Sequence, residues 1–215
     1  MDGLYIALMV LNVAVLALPP ALERRRRRAA RRGLTPIGAV KQGEKVRITG
    51  SAVAREPLRT SPILQRRCIG YRVVVECDEY GGYPRLHTVI EQEEFDSFEL
   101  ADGTGQALLH GPFAIDLEPV NHNQGGRNDL PPAVLDLLEE RGVRAPVRGD
   151  PRTFTYVETV LMPGDAIIAG GYATIEVDPG GRSSHRDPPV ICHLRGSDGE
   201  RVVITNVEQA WTGST

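Results

Sequence analysis

Cysteine and histidine are scarce in this sequence, which holds three cysteines and five histidines in 215 residues. An odd cysteine count excludes a fully paired disulfide framework, and a domain of this size does not need one. Cys68, Cys77 and Cys192 are therefore interpreted as reduced thiols in a cytoplasmic compartment. The Walker A, HExxH and GxSxG patterns are also missing, and the GTG at 103–105 precedes a predicted strand rather than a helix. The sequence accordingly predicts no catalytic residue, no metal ligand and no cofactor, and we expect a protein that is not an enzyme.

Two groups of potential ligands have simpler structural explanations. Cys192 and His193 could form a nucleophile and base or bind a metal, but neighbours on a strand point to opposite faces. We therefore expect a buried Cys192 and a surface His193. An acidic cluster could hold a divalent ion or meet a basic partner, but an exposed strand edge guarded by charge is the favoured interpretation. The cluster consists of Glu91, Glu93, Glu94 and Asp96.

Positive charge is most concentrated in one short band outside the predicted fold, which holds seven of the 25 basic residues. Only Lys41 and Lys45 of the 25 basic residues are lysine, a bias typical of GC-rich bacterial coding. The residues from Gly33 onward carry 18 basic and 26 acidic side chains, a formal charge of −8. This distribution disfavours a nucleic-acid partner, because such proteins spread basic residues over the folded surface. The basic band consists of Arg24, Arg25, Arg26, Arg27, Arg28, Arg31 and Arg32.

Residues 3–22 form a run without charge, long enough as a helix to cross the hydrocarbon core of about 30 Å. A cleavable signal peptide is the alternative, but the run lacks a positive n-region and is followed by arginines instead of a small-residue cleavage site. One acidic residue, Asp2, precedes the run and the basic band follows it, so the positive-inside rule places the N-terminus outside and the remainder in the cytoplasm. The sequence thus predicts an integral protein of the cell inner membrane, with anionic lipids near the basic band.

The body alternates apolar and polar residues at the period of a β-strand, for example over 45–53 and 71–77. Glycine-rich turn signals separate such runs, which predicts a mainly β fold, an antiparallel small barrel or sandwich. The one helix predicted in the body covers 131–141, with Asp129 as a nearby cap. The predicted organisation is a transmembrane helix at 3–22, a basic linker at 23–33, a β domain at 34–207 and a tail at 208–215. Within that domain the sequence predicts a mobile loop at 120–130, the helix at 131–141, an exposed loop at 178–189 and a C-terminal hairpin at 190–206 around Asp198-Gly199.

Four segments, in order, resemble the GIDE or BAM ("beside a membrane") domain of the MULAN-type membrane-anchored RING ubiquitin ligases and their prokaryotic relatives. The segments are RITGSA at 47–52, SPILQRRCIGYRVVVE at 61–76, FELADGTGQALLH at 98–110 and YVETVLMPGDAIIAGGYA at 156–173. The residues that carry the resemblance are Ser61, Pro62, Cys68, Tyr71, Arg72, Glu76, Asp102, Gly103, Thr104, Gly105, Glu158, Leu161, Pro163, Gly164, Asp165 and Gly171.

Local chemistry gives these motif residues structural roles. Asp102 is expected to accept backbone N–H groups in a turn whose glycines allow positive φ, which would pair the strands near Phe98 and Ala107. The PGD at 163–165 predicts a second tight turn. Arg72 and Glu76 lie on one face of a strand, where they can pair with charges on neighbouring strands.

The resemblance implies ubiquitin transfer, but this sequence has too few suitably spaced zinc ligands for that activity. In that family the activity belongs to a RING, whose two tetrahedral zinc sites need about eight Cys and His ligands. Here the few Cys and His residues are scattered, with none after His193. The sequence therefore favours a membrane-tethered binding or scaffold module with an unknown protein partner. The alternative is an enzyme or enzyme component, either a divergent hydrolase or a component of a RING-type ubiquitin transferase-like system, as the family name suggests.

Overall fold

The computed structural model describes residues 33–78, 86–125, 130–146, 152–177, 190–197 and 199–206. These residues form a mainly β structure with one α-helix, as the sequence predicts. A short 3-10 helix, Ile37–Ala39, precedes the first strand. The strands are β1 (Lys45–Val53), β2 (Arg59–Thr60), β3 (Arg67–Cys68), β4 (Gly70–Asp78), β5 (Leu86–Phe95), β6 (Phe98–Ala101), β7 (Gln106–Leu109), β8 (Phe113–Asp116), β9 (Asn121–Gly125), β10 (Thr153–Leu161), β11 (Ala166–Val177), β12 (Val190–Arg195) and β13 (Val202–Asn206), and the helix is α1 (Pro132–Glu140).

Five strands close into a small barrel in the order β1-β6-β7-β12-β11, with β11 returning to pair with β1. The strands β13 and β8 extend the sheet from β11. Alternate residues of the twelve-residue strand β11, including Ile167, Ala169 and Ala173, point into the barrel core. Most neighbours are antiparallel, as predicted, but β12 pairs with β7 and β13 pairs with β8 in parallel. The fold is therefore a mixed barrel rather than a purely antiparallel one.

A second sheet of order β5-β4-β10-β9 packs its own hydrophobic core. Val73 and Val75 of β4 and Phe154 of β10 belong to this core. The helix α1 contributes Val134, Leu137 and Leu138, the same face that the 3.6-residue period predicts. The helix begins at Pro132 without a side-chain cap, and Asp129 lies outside the described residues.

The predicted C-terminal hairpin is wrong, because β12 and β13 do not pair with each other but both pair with β11. Arg195 lies opposite Tyr172 and Val203 lies opposite Gly170, so eight residues of the chain span only two residues of β11. After β12 the chain stops pairing with β11. It pairs with the same edge of β11 again in β13, which runs in the same direction as β12. A long strand can accept two collinear partners, whereas the Asp-Gly pattern indicates only that the chain turns.

The predicted loop at 120–130 is partly wrong. Residues Asn121–Gly125 form β9, which pairs antiparallel with β10 at the edge of the second sheet. The polar composition of this segment favours a loop, but an edge strand tolerates polar residues because one side of its backbone remains open to water.

The other predicted boundaries fall on residues that the structure does not describe. These include the transmembrane run at 3–22, the basic band at 24–32, the loop at 178–189 and the tail at 208–215. Within the described residues, no helix is both long enough and apolar enough to span a bilayer.

Candidate functional site

Glu158 is fully buried, and its carboxylate organises the loop between β2 and β3. It accepts the backbone N–H of Ile63 at 2.9 Å and that of Leu64 at 2.8 Å, together with the Ser61 hydroxyl at 3.3 Å. The side chain lies in the core-facing row of β10 between Tyr156 and Val160, where an unpaired charge would be costly. The Ser-Pro and Glu pieces of the motif, Ser61-Pro62 and Glu158, therefore meet in one structural cluster.

Asp102 closes the turn between β6 and β7, which pair antiparallel as the sequence predicts. Its Oδ1 accepts the backbone N–H of Thr104 at 2.6 Å and that of Gly105 at 2.9 Å, and its Oδ2 accepts the N–H of Ile37 at 3.0 Å. These donors hold the pKa of the Asp102 carboxyl below its usual value, against the opposing effect of burial. Contrary to the expectation, the glycines of this turn are not needed for positive φ, since neither Gly103 nor Gly105 has one.

The Pro163-Gly164-Asp165 turn is confirmed and joins β10 to β11. Gly164 has φ +92°, and the N–H of Asp165 donates to the carbonyl of Met162 at 3.2 Å, the geometry of a type II turn with proline at its second position. The Asp165 carboxylate accepts the Met162 N–H at 2.7 Å. Ala52 of β1 pairs with both Gly164 and Asp165 through backbone hydrogen bonds. This turn therefore connects the second sheet to the barrel.

Three further motif residues are buried parts of the two cores. Cys68 and Leu161 are almost inaccessible to solvent. Gly171 is required by a close approach, because a Cβ there would lie 2.8 Å from the carbonyl oxygen of Arg195, where the chain leaves β11. Burial also raises the pKa of the Cys68 thiol, which makes it a poor nucleophile.

The acidic cluster lies on the edge strand β5 and just beyond it, and much of its charge is paired. Arg59 donates to both carboxylate oxygens of Asp96, at 2.7 and 2.8 Å, and to Glu94 at 2.6 Å. Arg72 donates to Glu91 at 2.7 Å, the cross-strand pairing that the sequence predicts for Arg72. Within the described residues no group of acidic, His and Cys side chains has the geometry of a metal site.

Tyr71 lies beside this cluster, and its pKa is raised to about 12 by burial and by its interaction with Glu94. Its hydroxyl accepts a hydrogen bond from the Gln92 side chain at 2.8 Å. Glu76 follows Arg72 at the expected spacing on β4. Tyr71 is buried in the core of the second sheet, and Glu76 lies half-buried on the same strand.

The predicted burial is correct for Cys192 and wrong for His193. Cys192 is buried in the barrel core, and His193 points to the opposite face, as predicted. However, His193 is only 8% exposed, because its ring stacks on His110 with centroids 5.2 Å apart. A lone histidine in a strand pattern gives no sign of a partner 83 positions away, so this pair was missed.

The histidine pair belongs to a continuous polar chain on the outer surface of the barrel. The Nε2 atom of His110 lies 2.9 Å from Nδ1 of His193. Ser97 Oγ lies 3.5 Å from Nδ1 of His110, and a carboxylate oxygen of Glu176 lies 3.5 Å from Nε2 of His193. We call these four residues the relay.

A second feature is the outer surface of β1, β11, β13 and β8, which we call the concave face. One row across it runs Arg47, Gly170, Val203, Ala114, and the next runs Thr49, Ile168, Thr205, Asp116. In the first row Gly170 has no side chain and Ala114, at its end, has a small one, and the depression has a volume of about 1030 Å³. Gly33 and Thr35 line one side of it, and the Thr35 N–H donates to the carbonyl of Arg47 at 2.8 Å.

The charges on the concave face are unevenly distributed. Lys45 forms an ion pair with Glu200 at 2.8 Å. Arg47 and Arg201 also line the depression, and no carboxylate of the described residues forms an ion pair with either. Asp116 lies at the far end of the next row. Arg47 and Arg201 are exposed beside a partly apolar floor, where Val203 is 46% exposed. One guanidinium nitrogen of Arg201 donates to the carbonyl of Phe113 at 3.3 Å, and its other N–H groups can still meet a ligand.

Comparisons of the chain with protein-family models, curated proteins and solved structures give no match. The resemblance to the GIDE domain therefore stays a prediction that rests on the four sequence segments alone.

Proposed function

We propose that this protein is a membrane-tethered binding module that presents its β domain at the cytoplasmic surface of the cell inner membrane. The uncharged run at 3–22 and the arginines after it support the tether. Gly33, the first described residue, follows the basic band directly and lines the concave face. The chain thus enters the domain beside the surface that has the features of a binding site.

The observation that carries this proposal is the pair of guanidinium groups on the concave face without carboxylate partners in the described chain. Arg47 and Arg201 border an apolar floor of Ile168 and Val203. Binding sites commonly combine a concave, largely apolar floor with a few polar groups that orient the ligand. Carboxylates of a bound segment would form charge-assisted hydrogen bonds with these two arginines.

The proposed occupant is an extended, acidic peptide segment of a protein partner. Gly170 and Ala114 give a peptide backbone room to approach, and the exposed Val203 offers an apolar contact. An anionic lipid headgroup fits less well, because it would contact the arginines but leave the apolar floor of Ile168 and Val203 uncovered. The basic band already supplies attraction for such headgroups.

The test measures the affinity of the full chain in phosphatidylcholine nanodiscs for an alternating glutamate–valine hexapeptide by calorimetry. The lysine–valine hexapeptide is the matched control ligand. We expect saturable binding of the glutamate peptide alone, weakened about tenfold by the Arg47→Gln, Arg201→Gln double variant and unchanged by Arg66→Gln, an exposed arginine elsewhere. Equal binding of both peptides, or an unaltered affinity of the double variant, would contradict the proposal. Displacement of the bound peptide by phosphatidylglycerol would instead assign the face to lipid.

The tether is tested separately by reporter fusions after Thr215. A reporter active only in the cytoplasm should give signal, and one active only in the periplasm should not, because the basic band retains the following chain inside. The reverse pattern, or a mature chain beginning after Pro20, would overturn the tether without affecting the binding test.

A further inference from the structure

The contacts of the relay are consistent with one direction of hydrogen bonding. The carboxylate of Glu176 only accepts hydrogen bonds, so we assign the proton of a neutral His193 ring to Nε2, the nitrogen 3.5 Å from Glu176. Its Nδ1 is then an acceptor, and His110 donates to it from Nε2 at 2.9 Å. This leaves the unprotonated Nδ1 of His110 facing the hydroxyl of Ser97 at 3.5 Å. The order of groups is hydroxyl, base, orienting group, as in nucleophilic hydrolases.

Strand register explains why these residues meet. His193 of β12 lies opposite Leu108 of β7, and His110 follows two residues after Leu108 on the same face. Ser97 immediately precedes β6, which pairs with β7, so it comes beside His110. Glu176 lies on β11, two residues beyond Thr174, the direct partner of His193. Three strands of the barrel and the end of the β5–β6 connection therefore position the relay.

The surroundings of His110 favour its neutral, basic form. Its pKa is lowered by burial first, then by the nearby charges of Arg195, His193 and Arg55, while Glu176 opposes them. An unprotonated imidazole at neutral pH can accept a proton from a hydroxyl. The separation of 3.5 Å between Ser97 and His110 is long, but such contacts commonly shorten when a substrate is bound.

Ser97 also lines a cleft of about 540 Å³ with Glu56, Pro57, Arg59 and Asp96. The guanidinium of Arg59 is held by its bonds to Asp96 and Glu94, and it has further N–H groups that can face an oxyanion. The hydroxyl at one side of the cleft and the fixed cation within it are the two elements that an acyl transfer requires.

We propose that Ser97 is a nucleophile activated by His110, and that the cleft binds a carboxylic ester. Ser97 Oγ bonds to the ester carbonyl carbon while its proton passes to Nδ1 of His110. The tetrahedral adduct then collapses, the bond to the alcohol oxygen breaks, and His110 returns the proton to that oxygen. A water molecule, deprotonated by the same nitrogen, attacks the acyl-serine and releases the carboxylic acid and Ser97. His193 and Glu176 are positioning residues, since they act through His110.

The experiment uses the full chain in detergent micelles with p-nitrophenyl acetate and a fluorophosphonate probe. We expect release of p-nitrophenol above background and a covalent adduct on the peptide that contains Ser97. Ser97→Ala should abolish the adduct, and His110→Gln should slow acylation by about 100-fold. Ser51→Ala, an exposed serine on β1, is the matched control and should behave like the wild type.

Glu176→Gln tests the positioning role, because Glu176 is exposed and its loss should leave the fold intact. Since Glu176 raises the pKa of His110, its removal should move the acid limb of the pH–rate profile to lower pH, which a purely structural role would not do. Absence of any adduct on Ser97 in the folded protein would overturn the proposal. Unchanged hydrolysis by Ser97→Ala would do so too, because it would make an imidazole the nucleophile.

Discussion

The buried carboxylate of Glu158 accepts the backbone N–H of Ile63 at 2.9 Å across 95 positions of sequence. This bond places the loop between β2 and β3 against the core row of β10, and the Leu64 N–H and Ser61 hydroxyl complete the set of donors. A charge in this position is stable only while its donors are present. The family-like pattern of Ser61 and Glu158 thus has a physical basis independent of any resemblance.

Glu158→Gln should destabilise the protein strongly. The amide keeps the shape of the carboxylate, but it loses the charge, and its NH2 group faces donors rather than acceptors. We expect the free energy of unfolding to fall by about 2–3 kcal/mol, measured by urea denaturation. Glu140→Gln, at the exposed end of α1, is the control and should change it by less than about 0.5 kcal/mol. If Glu158→Gln and Glu140→Gln have the same free energy of unfolding, the hydrogen bonds to the Glu158 carboxylate do not stabilise the fold.

Two glycines of the motif should respond differently to alanine. Gly164→Ala forces a side chain into φ +92° and should cost about 1 kcal/mol or more. Gly103→Ala should be nearly neutral, since Gly103 lacks positive φ and a Cβ there meets nothing within 4 Å. Thermal denaturation of both variants checks the difference. A greater loss of thermal stability in Gly103→Ala than in Gly164→Ala would contradict the conclusion that positive φ is required only in the 163–165 turn.

Acidification should destabilise the fold through His110. Its folded pKa lies below the ordinary 6.5, so the unfolded chain binds the proton more readily. Stability is therefore fully present above pH 6.5 and falls as the pH drops from 6.5 through the folded pKa. In urea denaturation from pH 7.5 to 5, His110→Gln should lose less stability than the wild type. His87→Gln, an exposed histidine on β5, should follow the wild type. Identical pH dependence of the wild type and His110→Gln would refute this origin.

Short sequence patterns predict the turns and the helix, because residues close together in sequence determine these elements. The turns at 102–105 and 163–165 and the helix α1 each follow from residues within a few positions of one another. The collinear arrangement of β12 and β13 depends on the length of β11, and strand β9 depends on a free edge of β10. Neither arrangement can therefore be predicted from a short stretch of sequence.

The candidate sites are less predictable than the fold because they arise from register. Alternation correctly separates the faces of Cys192 and His193, but only the alignment of β12 with β7 brings His110 beside His193. The concave face likewise needs four strands in register to place Arg47 in one row with Gly170 and Val203.

The most direct test of the binding-module account is to locate the bound peptide on the domain. Amide chemical shifts of the full chain in phosphatidylcholine nanodiscs are recorded by NMR as the glutamate–valine hexapeptide is added. The account predicts saturable shifts at Gly170, Gly171 and Val203 that weaken with added salt and that require about tenfold more peptide in the Arg47→Gln, Arg201→Gln double variant. Shifts confined to other surfaces, or none at saturating peptide, would contradict it.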